Sequence, residues 1–171
     1  MKKSNYNVLI IVGFLVMALA GCKYSKEYQL VKGGDKFTVM VPSWVKEDKT
    51  LKPGAEFQYA NRFRNFYCIG TYEAKNSTKS VSSIMAGNIG ILSKAMGQPV
   101  ISDSLGVTIG GLNGARVEIF GTMSGDPIYF SEVVLEGKNG FYHLSVWTRT
   151  ADRKLKFKGD IDHILNSFKE I

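Results

Sequence analysis

The sequence lacks a run of apolar residues long enough to span a membrane. An apolar stretch stands near its start, but Val8–Ala20 has only 13 residues, whereas a spanning helix needs about 20. Lys2 and Lys3 precede this stretch and small residues end it, which is the arrangement of a secretory signal peptide. We therefore predict that residues 1–21 are a cleaved leader and that the protein is exported.

The end of this leader, Leu19-Ala20-Gly21-Cys22, resembles the lipobox of bacterial lipoproteins. In that family the leader is cut before the cysteine, and the cysteine thiol is diacylated. The resemblance implies cleavage between Gly21 and Cys22 and fatty acids such as palmitate on Cys22. Because two or more acyl chains hold a protein to a membrane stably, we predict a lipid-anchored protein of the bacterial cell envelope. The alternatives are a secreted protein with an incidental cysteine, or an uncleaved membrane-tethering segment.

Residues 22–27 are polar after the cysteine and predict a short tether. Lys23 stands where enterobacterial lipoproteins of the inner membrane carry Asp, which favours the outer membrane if the cell has two. The rest of the chain, residues 28–171, has the length of a single domain.

Cysteine is otherwise scarce, because Cys68 is the only one besides Cys22. With Cys22 lipidated no internal disulfide is possible, so the fold must be stabilised by its core, for which 10 Phe, 8 Tyr and 2 Trp supply material. We interpret Cys68 as a small buried hydrophobe; the alternative is a nucleophile or metal ligand acting with a histidine. The formal net charge is +7, of which Lys2 and Lys3 of the leader supply 2, and the remaining 7 − 2 = +5 suits solubility or anionic lipid better than nucleic acid.

Apolar residues recur with two different spacings along the mature chain, one typical of strands and the other of helices. Alternation such as that of Phe37, Val39 and Val41 predicts strands joined by turns rich in glycine. These strands cover residues 28–31, 36–41, 55–60, 66–73, a segment ending near 109, 115–122, 128–136 and 141–149. A helical period predicts one helix over residues 80–96, in which we interpret Gly87 and Gly90 as points of close packing on a sheet. A second helix has the apolar stripe Ile161, Ile164, Leu165 and Phe168.

The order ββ-ββ-α-ββββ-α predicts an α+β sandwich, in which an antiparallel sheet is flanked by helices and the strand at 66–73 is central. A lipocalin-like barrel is the alternative, although the helix at 80–96 counts against it. The chain resembles the PsbP-like fold group, which includes DcrB-type bacterial lipoproteins. The segments that carry this resemblance are 37–44, 109–115, 142–144 and 164–168. The resemblance implies that the protein binds or helps to assemble other proteins, and it supplies no catalytic set.

Histidine is as scarce as cysteine, and motifs for catalysis or cofactors are missing. There is no Gly-rich phosphate loop, no His-Glu-x-x-His and no Cys-x-x-Cys, so we expect neither a cofactor nor a metal. His143 shares a strand face with Ser145 and Trp147, where a hydrogen-bonded structural role is the simpler interpretation. We expect His163, beside the apolar stripe of the last helix, to be solvated.

Two surfaces are candidates for interactions. Arg62, Phe63, Arg64 and Phe66 crowd one predicted hairpin tip with residue types that are enriched at binding hot spots. A basic run precedes the last helix and could face anionic lipid; it consists of Arg149, Arg153, Lys154, Lys156 and Lys158. The plainer interpretation of the hairpin tip is an ordinary exposed loop, and that of the basic run is a solvated connector.

These features support three functional hypotheses. The leading one is a non-enzymatic, lipid-anchored module that binds another envelope protein. The second is a carrier or sensor of a small apolar ligand, which requires a cavity of about 300–1,000 Å³ lined by aromatic residues. The third is a hydrolase using His143, which requires a carboxylate and a nucleophile within hydrogen-bond reach of that ring or of its partner.

Overall fold

The computed structural model describes residues 27–76, 78–149 and 152–171, which form eleven strands and two helices. The strands are β1 (Tyr28–Gly33), β2 (Phe37–Pro42), β3 (Lys46–Glu47), β4 (Phe57–Asn61), β5 (Phe66–Ala74), β6 (Gly97–Ile101), β7 (Leu105–Ile109), β8 (Leu112–Met123), β9 (Asp126–Glu136), β10 (Gly140–Arg149) and β11 (Lys169–Glu170). The helices are α1 (Val81–Ala95) and α2 (Asp152–Asn166).

Eight of the strands form one open antiparallel sheet. Its order is β3-β4-β5-β10-β9-β8-β6, and β7 also pairs with β8. A smaller sheet contains β1, β2 and β11. The α+β prediction is confirmed, and the lipocalin-like barrel is wrong because the large sheet ends at β3 on one side and at β6 and β7 on the other. The position of β5 between β4 and β10 also confirms that this strand is central.

Each face of the large sheet carries its own apolar layer. The small sheet and α2 cover one face, where Phe37, Leu144 and Ile164 are buried. Helix α1 covers the other face, where Met85 packs with Ile119. Strands β9 and β10 are therefore buried on both faces, which explains why their sequences are nearly continuous apolar runs.

Three short strands were not predicted. Strands β3 and β11 have two residues each, which is too short for an alternating pattern to be visible. Strand β6 begins at Gly97, in the segment Gly97-Gln98-Pro99 that was expected only to end the preceding helix. Its register on β8 shifts between Gly97 and Val100, and Pro99 is compatible with an edge strand because it has no N–H to donate.

Helix α1 is well capped but weakly packed. The Ser80 hydroxyl accepts a hydrogen bond from the Ser83 N–H at 3.2 Å, and the Ser83 hydroxyl accepts one from the Ser80 N–H at 2.9 Å, which is a capping box. At Gly87 and Gly90 no described atom outside the helix lies within 4 Å of where a Cβ would stand. The interpretation of these two glycines as close-packing positions is therefore wrong.

Because Gly87 lies in a helix and faces open space, Gly87→Ala should raise the free energy of unfolding by about 0.5–1 kcal/mol. Urea denaturation of the two proteins measures the change. Gly70→Ala is the matched control, since its Cβ would lie 2.7 Å from Phe37 Cζ and 2.8 Å from Phe57 Cδ1; it should destabilise the protein by about 1–3 kcal/mol. Destabilisation by Gly87→Ala would contradict the open position of that glycine.

Candidate functional site

The predicted cleavage and lipid-attachment residues, Gly21 and Cys22, lie outside the described residues and stay predictions. No helix in the described part of the chain is long and apolar enough to span a membrane. The other cysteine, Cys68, is completely buried in the core. Burial raises the pKa of its thiol, so the geometry is that of an inert hydrophobe rather than a nucleophile.

The start of the described chain is held against α2. The Ser43 N–H donates to the Glu27 carbonyl oxygen at 2.9 Å, and the Tyr28 hydroxyl donates to Asp160 Oδ1 at 2.7 Å. Burial and this bond to Asp160 raise the pKa of Tyr28. The Tyr28 ring also lies on His163, with 3.8 Å between the ring centroids. The prediction that His163 is solvated is therefore wrong, and its Nε2 is buried.

The turn between β4 and β5 presents Phe63 to solvent on a braced backbone. The Phe63 residue is 95% exposed. Beside it, Arg62 Nε donates to Asp48 Oδ2 and Arg62 Nη2 donates to Thr50 Oγ1, each at 2.8 Å. On the other side, the Arg64 guanidinium lies 4.7 Å from the centre of the Trp44 ring. Arg62 and Arg64 thus brace the turn, and the ring of Phe63 between them points to solvent.

Phe66, the fourth residue of the predicted hairpin tip, does not belong to this surface. Its side chain is completely buried and packs edge-on against Trp44 and Phe157, with ring centroids 5.0 and 5.2 Å away. Phe66 is the first residue of β5 and points to the face of the sheet that α2 covers. The prediction that Phe66 lies on the interaction surface is wrong.

The basic run does not form one surface, because its members lie on different sides of α2. Lys154 and Lys158 face β8, where Lys154 Nζ lies 2.8 Å from Glu118 and Lys158 pairs with Asp162. The other members lie near the β4–β5 turn or at the start of α2. Arg153 donates to the Arg64 carbonyl oxygen.

The structure therefore brings part of the basic run to the predicted hairpin tip. The Arg149 N–H donates to the Asn65 carbonyl oxygen at 3.1 Å, next to the bond between Arg153 and Arg64. We call this end of the molecule the Phe63 pole. It consists of the β4–β5 turn (residues 62–65), Trp44, Arg149 and the first turns of α2.

On the opposite side of α2, two carboxylates tie the helix to β8. Burial alone would raise the pKa of Glu118, but the hydrogen bond from Lys154 lowers it below its ordinary value. The same holds for the pKa of Asp162, where burial is outweighed by hydrogen bonds from Lys158 and Arg116. Arg116 Nη2 lies 2.8 Å from Asp162 Oδ1. These cations serve the packing of α2 rather than a free basic surface.

Because the folded-state pKa values of Glu118 and Asp162 lie below their ordinary values, the native state binds fewer protons than the unfolded chain. Their stabilising effect is present above about pH 4 and is lost as the pH falls through the lowered values. The free energy of unfolding should therefore decrease on acidification, and Asp162→Asn should make that decrease shallower. Urea denaturation at a series of pH values measures this, with the exposed Asp103→Asn as control. An unchanged slope in Asp162→Asn would contradict the assignment.

A buried carboxylate lies beneath α1, where the sequence patterns predicted none. Glu132 is 1% exposed and accepts hydrogen bonds from Ser145 Oγ and from the ring of His143 through Nε2. The signal was available, since Glu132 is the one charged residue between the two ends of β9, in residues 127–135. Its pairing with Ser145, however, depends on the register of β9 on β10.

This cluster places a carboxylate and a serine hydroxyl within hydrogen-bond reach, as a hydrolase requires, but their connections do not allow the chemistry. A serine nucleophile needs the imidazole as its proton acceptor, whereas Ser145 and His143 are both bonded to the same carboxylate. Ser145 is also only 4% exposed. The arrangement orients and satisfies a buried charge, as the structural interpretation of His143 expects.

Removing the His143 ring should be costly, because Glu132 would lose a donor inside the protein. We expect His143→Leu to lower the free energy of unfolding by about 1–3 kcal/mol. His143→Gln, whose amide can donate, should recover part of that loss. Chemical denaturation of the three proteins measures both changes, and equal stability of the Leu variant and the wild type would show that the bond contributes nothing.

A cavity of about 130 Å³ adjoins this cluster. Polar residues dominate its lining, among them Lys52, Thr71, Asn88 and His143. A shallower depression of about 370 Å³ between Lys75, Leu112 and Glu170 is polar as well. Neither is the aromatic-lined cavity that the hypothesis of an apolar carrier requires. The described residues contain no group of three or more His, Cys, Asp or Glu that could hold a metal ion.

No family model and no curated protein sequence matches this chain. Its structure is similar to that of the cyanobacterial PsbP protein CyanoP from Synechocystis sp. PCC 6803, with 14% identity, a TM-score of 0.63, and coverage of 89% of this chain and 97% of that one. LpqN, which is involved in cell envelope biogenesis of Mycobacterium tuberculosis, has 11% identity, a TM-score of 0.59 and coverages of 84% and 90%. The Ran-binding protein Mog1p from Saccharomyces cerevisiae has 10% identity, a TM-score of 0.58 and coverages of 84% and 95%. At these identities the similarity shows the fold alone, and the chain has the Mog1/PsbP-like fold.

Proposed function

We propose that this protein is a lipid-anchored, non-enzymatic module of the bacterial cell envelope that binds another protein at the open edge of its large sheet. The observation that carries the proposal is a set of exposed apolar side chains along that edge, in which Val100 and Ile101, as consecutive residues of β6, point to opposite faces of the sheet. Val100 and Ile101 of β6 and Leu105 of β7 are 67%, 41% and 63% exposed. Large apolar side chains exposed along one unpaired sheet edge are typical of sites where a partner adds a strand, because pockets or contacts on either face can take its alternate side chains.

The backbone of the same edge is available for pairing. Among the described strands, β6 and β7 each pair only with β8, so their outer N–H and C=O groups have no strand beside them. Pro99 and the register shift protect the first half of β6 from strand addition. We therefore expect the partner to contribute an extended segment with apolar side chains to β7, beginning at Leu105.

Similar proteins support the class of function but not the partner. LpqN is involved in cell envelope biogenesis and Mog1p is a Ran-binding protein, so one protein with this fold serves in the envelope and another binds a protein. The lipobox supports attachment at Cys22. The buried cluster of Glu132, Ser145 and His143 supports a non-enzymatic role, because its groups hold one another.

The test is photo-crosslinking in intact cells from position 108, an exposed residue of β7. We expect one discrete protein adduct that is lost when Leu105→Arg is introduced. Leu30→Arg is the matched control, since Leu30 is 65% exposed on the edge strand of the small sheet. An adduct that is equally strong in both variants would contradict binding at this edge.

Lipid attachment is tested separately by incorporation of radiolabelled palmitate. Label should enter the wild-type protein and be absent from Cys22→Ser, because only the thiol can carry the thioether-linked lipid. Label of equal intensity in both proteins, or in neither, would remove the anchor from the proposal while leaving the sheet edge untouched.

A further inference from the structure

We infer that the Phe63 pole rests on the membrane, with Phe63 in the interfacial region and the unpaired cations around it against anionic lipid headgroups. The inference deepens the lipid anchoring of the proposed function and rests on it. It assigns Phe63, Arg64, Arg153 and Lys156 to a lipid surface rather than to a protein partner.

The first argument is the length of the tether. Cys22 and Glu27 are five residues apart, and an extended chain covers at most about 3.5 Å per residue, so the acylated cysteine lies within about 18 Å of Glu27. The position of Glu27 is fixed by its bond from the Ser43 N–H. Whatever surface surrounds Glu27 must therefore lie close to the bilayer.

That surface is the Phe63 pole. Ser43 is followed by Trp44, whose carbonyl oxygen accepts a hydrogen bond from Asn61 Nδ2 at 2.8 Å. The Trp44 ring carries the Arg64 guanidinium. Contacts among residues near the end of the tether, Trp44 and Arg64 thus connect the tether to the β4–β5 turn. The tether and this turn therefore lie at the same end of the domain.

The apolar side chains at this end are suited to a lipid interface. The turn that presents Phe63 is closed by hydrogen bonds from the Arg64 N–H to the Asn61 carbonyl oxygen at 3.1 Å and from the Asn65 N–H to the Arg62 carbonyl oxygen at 3.2 Å. The backbone that carries the exposed ring is therefore already ordered before insertion. Leu155, in the first turn of α2, is 80% exposed and adds a second apolar group. Aromatic and aliphatic residues beside basic ones are typical of peripheral membrane contacts.

The Phe63 pole also has an excess of positive charge, which contact with anionic lipid requires. At this end Arg62 and Arg149 pair with Asp48 and Asp126. Arg64, Arg153 and Lys156 form no ion pair with a described carboxylate. At the opposite end of the sheet Lys75 pairs with Glu136, and Lys138 is the cation there without an ion pair to a described carboxylate. Cations close to an anionic membrane are attracted to it. A protein partner is the less favoured occupant, because it would have to fit into the narrow space that the tether allows.

The test uses the full, acylated chain in vesicles of phosphatidylcholine and phosphatidylglycerol. Phe63→Cys and, at the opposite end, Lys138→Cys are labelled with an environment-sensitive fluorophore. Labelling is specific because Cys68 is buried and Cys22 carries lipid. Spin-labelled lipids should quench the fluorophore at position 63 several-fold more than the one at position 138. Equal quenching at the two positions would overturn the inference.

A charge-reversal variant tests the role of the cations with the same readout. In the Phe63→Cys background, Arg64→Glu with Lys156→Glu should weaken quenching in vesicles rich in phosphatidylglycerol and have little effect in vesicles without it. Equal effects in both vesicles would contradict contact with anionic headgroups.

The outcomes separate the inference from the anchor on which it rests. A chain that does not float with vesicles removes the anchor and the inference together. A chain that floats while the fluorophore at position 63 stays unquenched removes the inference alone. Crosslinking from position 63 to a protein instead of lipid would also overturn it, in favour of a protein contact at the pole.

Discussion

Phe37 is the point at which the small sheet, the large sheet and the C-terminal segment meet. Its completely buried ring contacts those of Phe57, Tyr142 and Phe168, with centroids 6.4, 5.8 and 5.4 Å away. The contact requires a glycine at position 70, where a Cβ would overlap the ring. Because the first strands and the last residues share this cluster, the two ends of the domain are fixed relative to the sheet. The place where the tether leaves is therefore set by the core.

The two faces of the large sheet differ in how firmly they are covered. The face under α2 is a continuous apolar layer and is closed at its rim by the ion pairs of Glu118 and Asp162. The face under α1 contains the buried carboxylate of Glu132, a polar cavity, and a helix with two glycines facing open space. A helix with few buried side chains opens at a lower free energy than the core. We expect α1 to be the first element to lose protection from hydrogen exchange.

Local patterns predicted the main elements, and contacts distant in sequence explain the features that these patterns missed. The alternation of Phe37, Val39 and Val41 reports burial directly, so β2 could be predicted. Two-residue strands contain no alternation, and the helix-ending signal at Gly97 carries no sign of the strand that begins there. The meeting of Arg153 with Arg64, 89 residues apart, appears in no local window. It depends on β5 and β10 being neighbours, which in turn depends on the whole order of the sheet.

Contacts between residues distant in sequence also decide which of the positive charges are neutralised and which remain unpaired. Lys154 and Lys158 are close in sequence to Lys156, yet their charges are neutralised by carboxylates on β8 and on α2 itself. Arg153 instead reaches the backbone of the β4–β5 turn, where its charge meets no carboxylate among the described residues. In the proposed acylated form, the fatty chains would provide the affinity for the bilayer, so a few unpaired cations would need only to orient the domain. A small surplus at one end can do this, whereas the same charges spread over the surface could not.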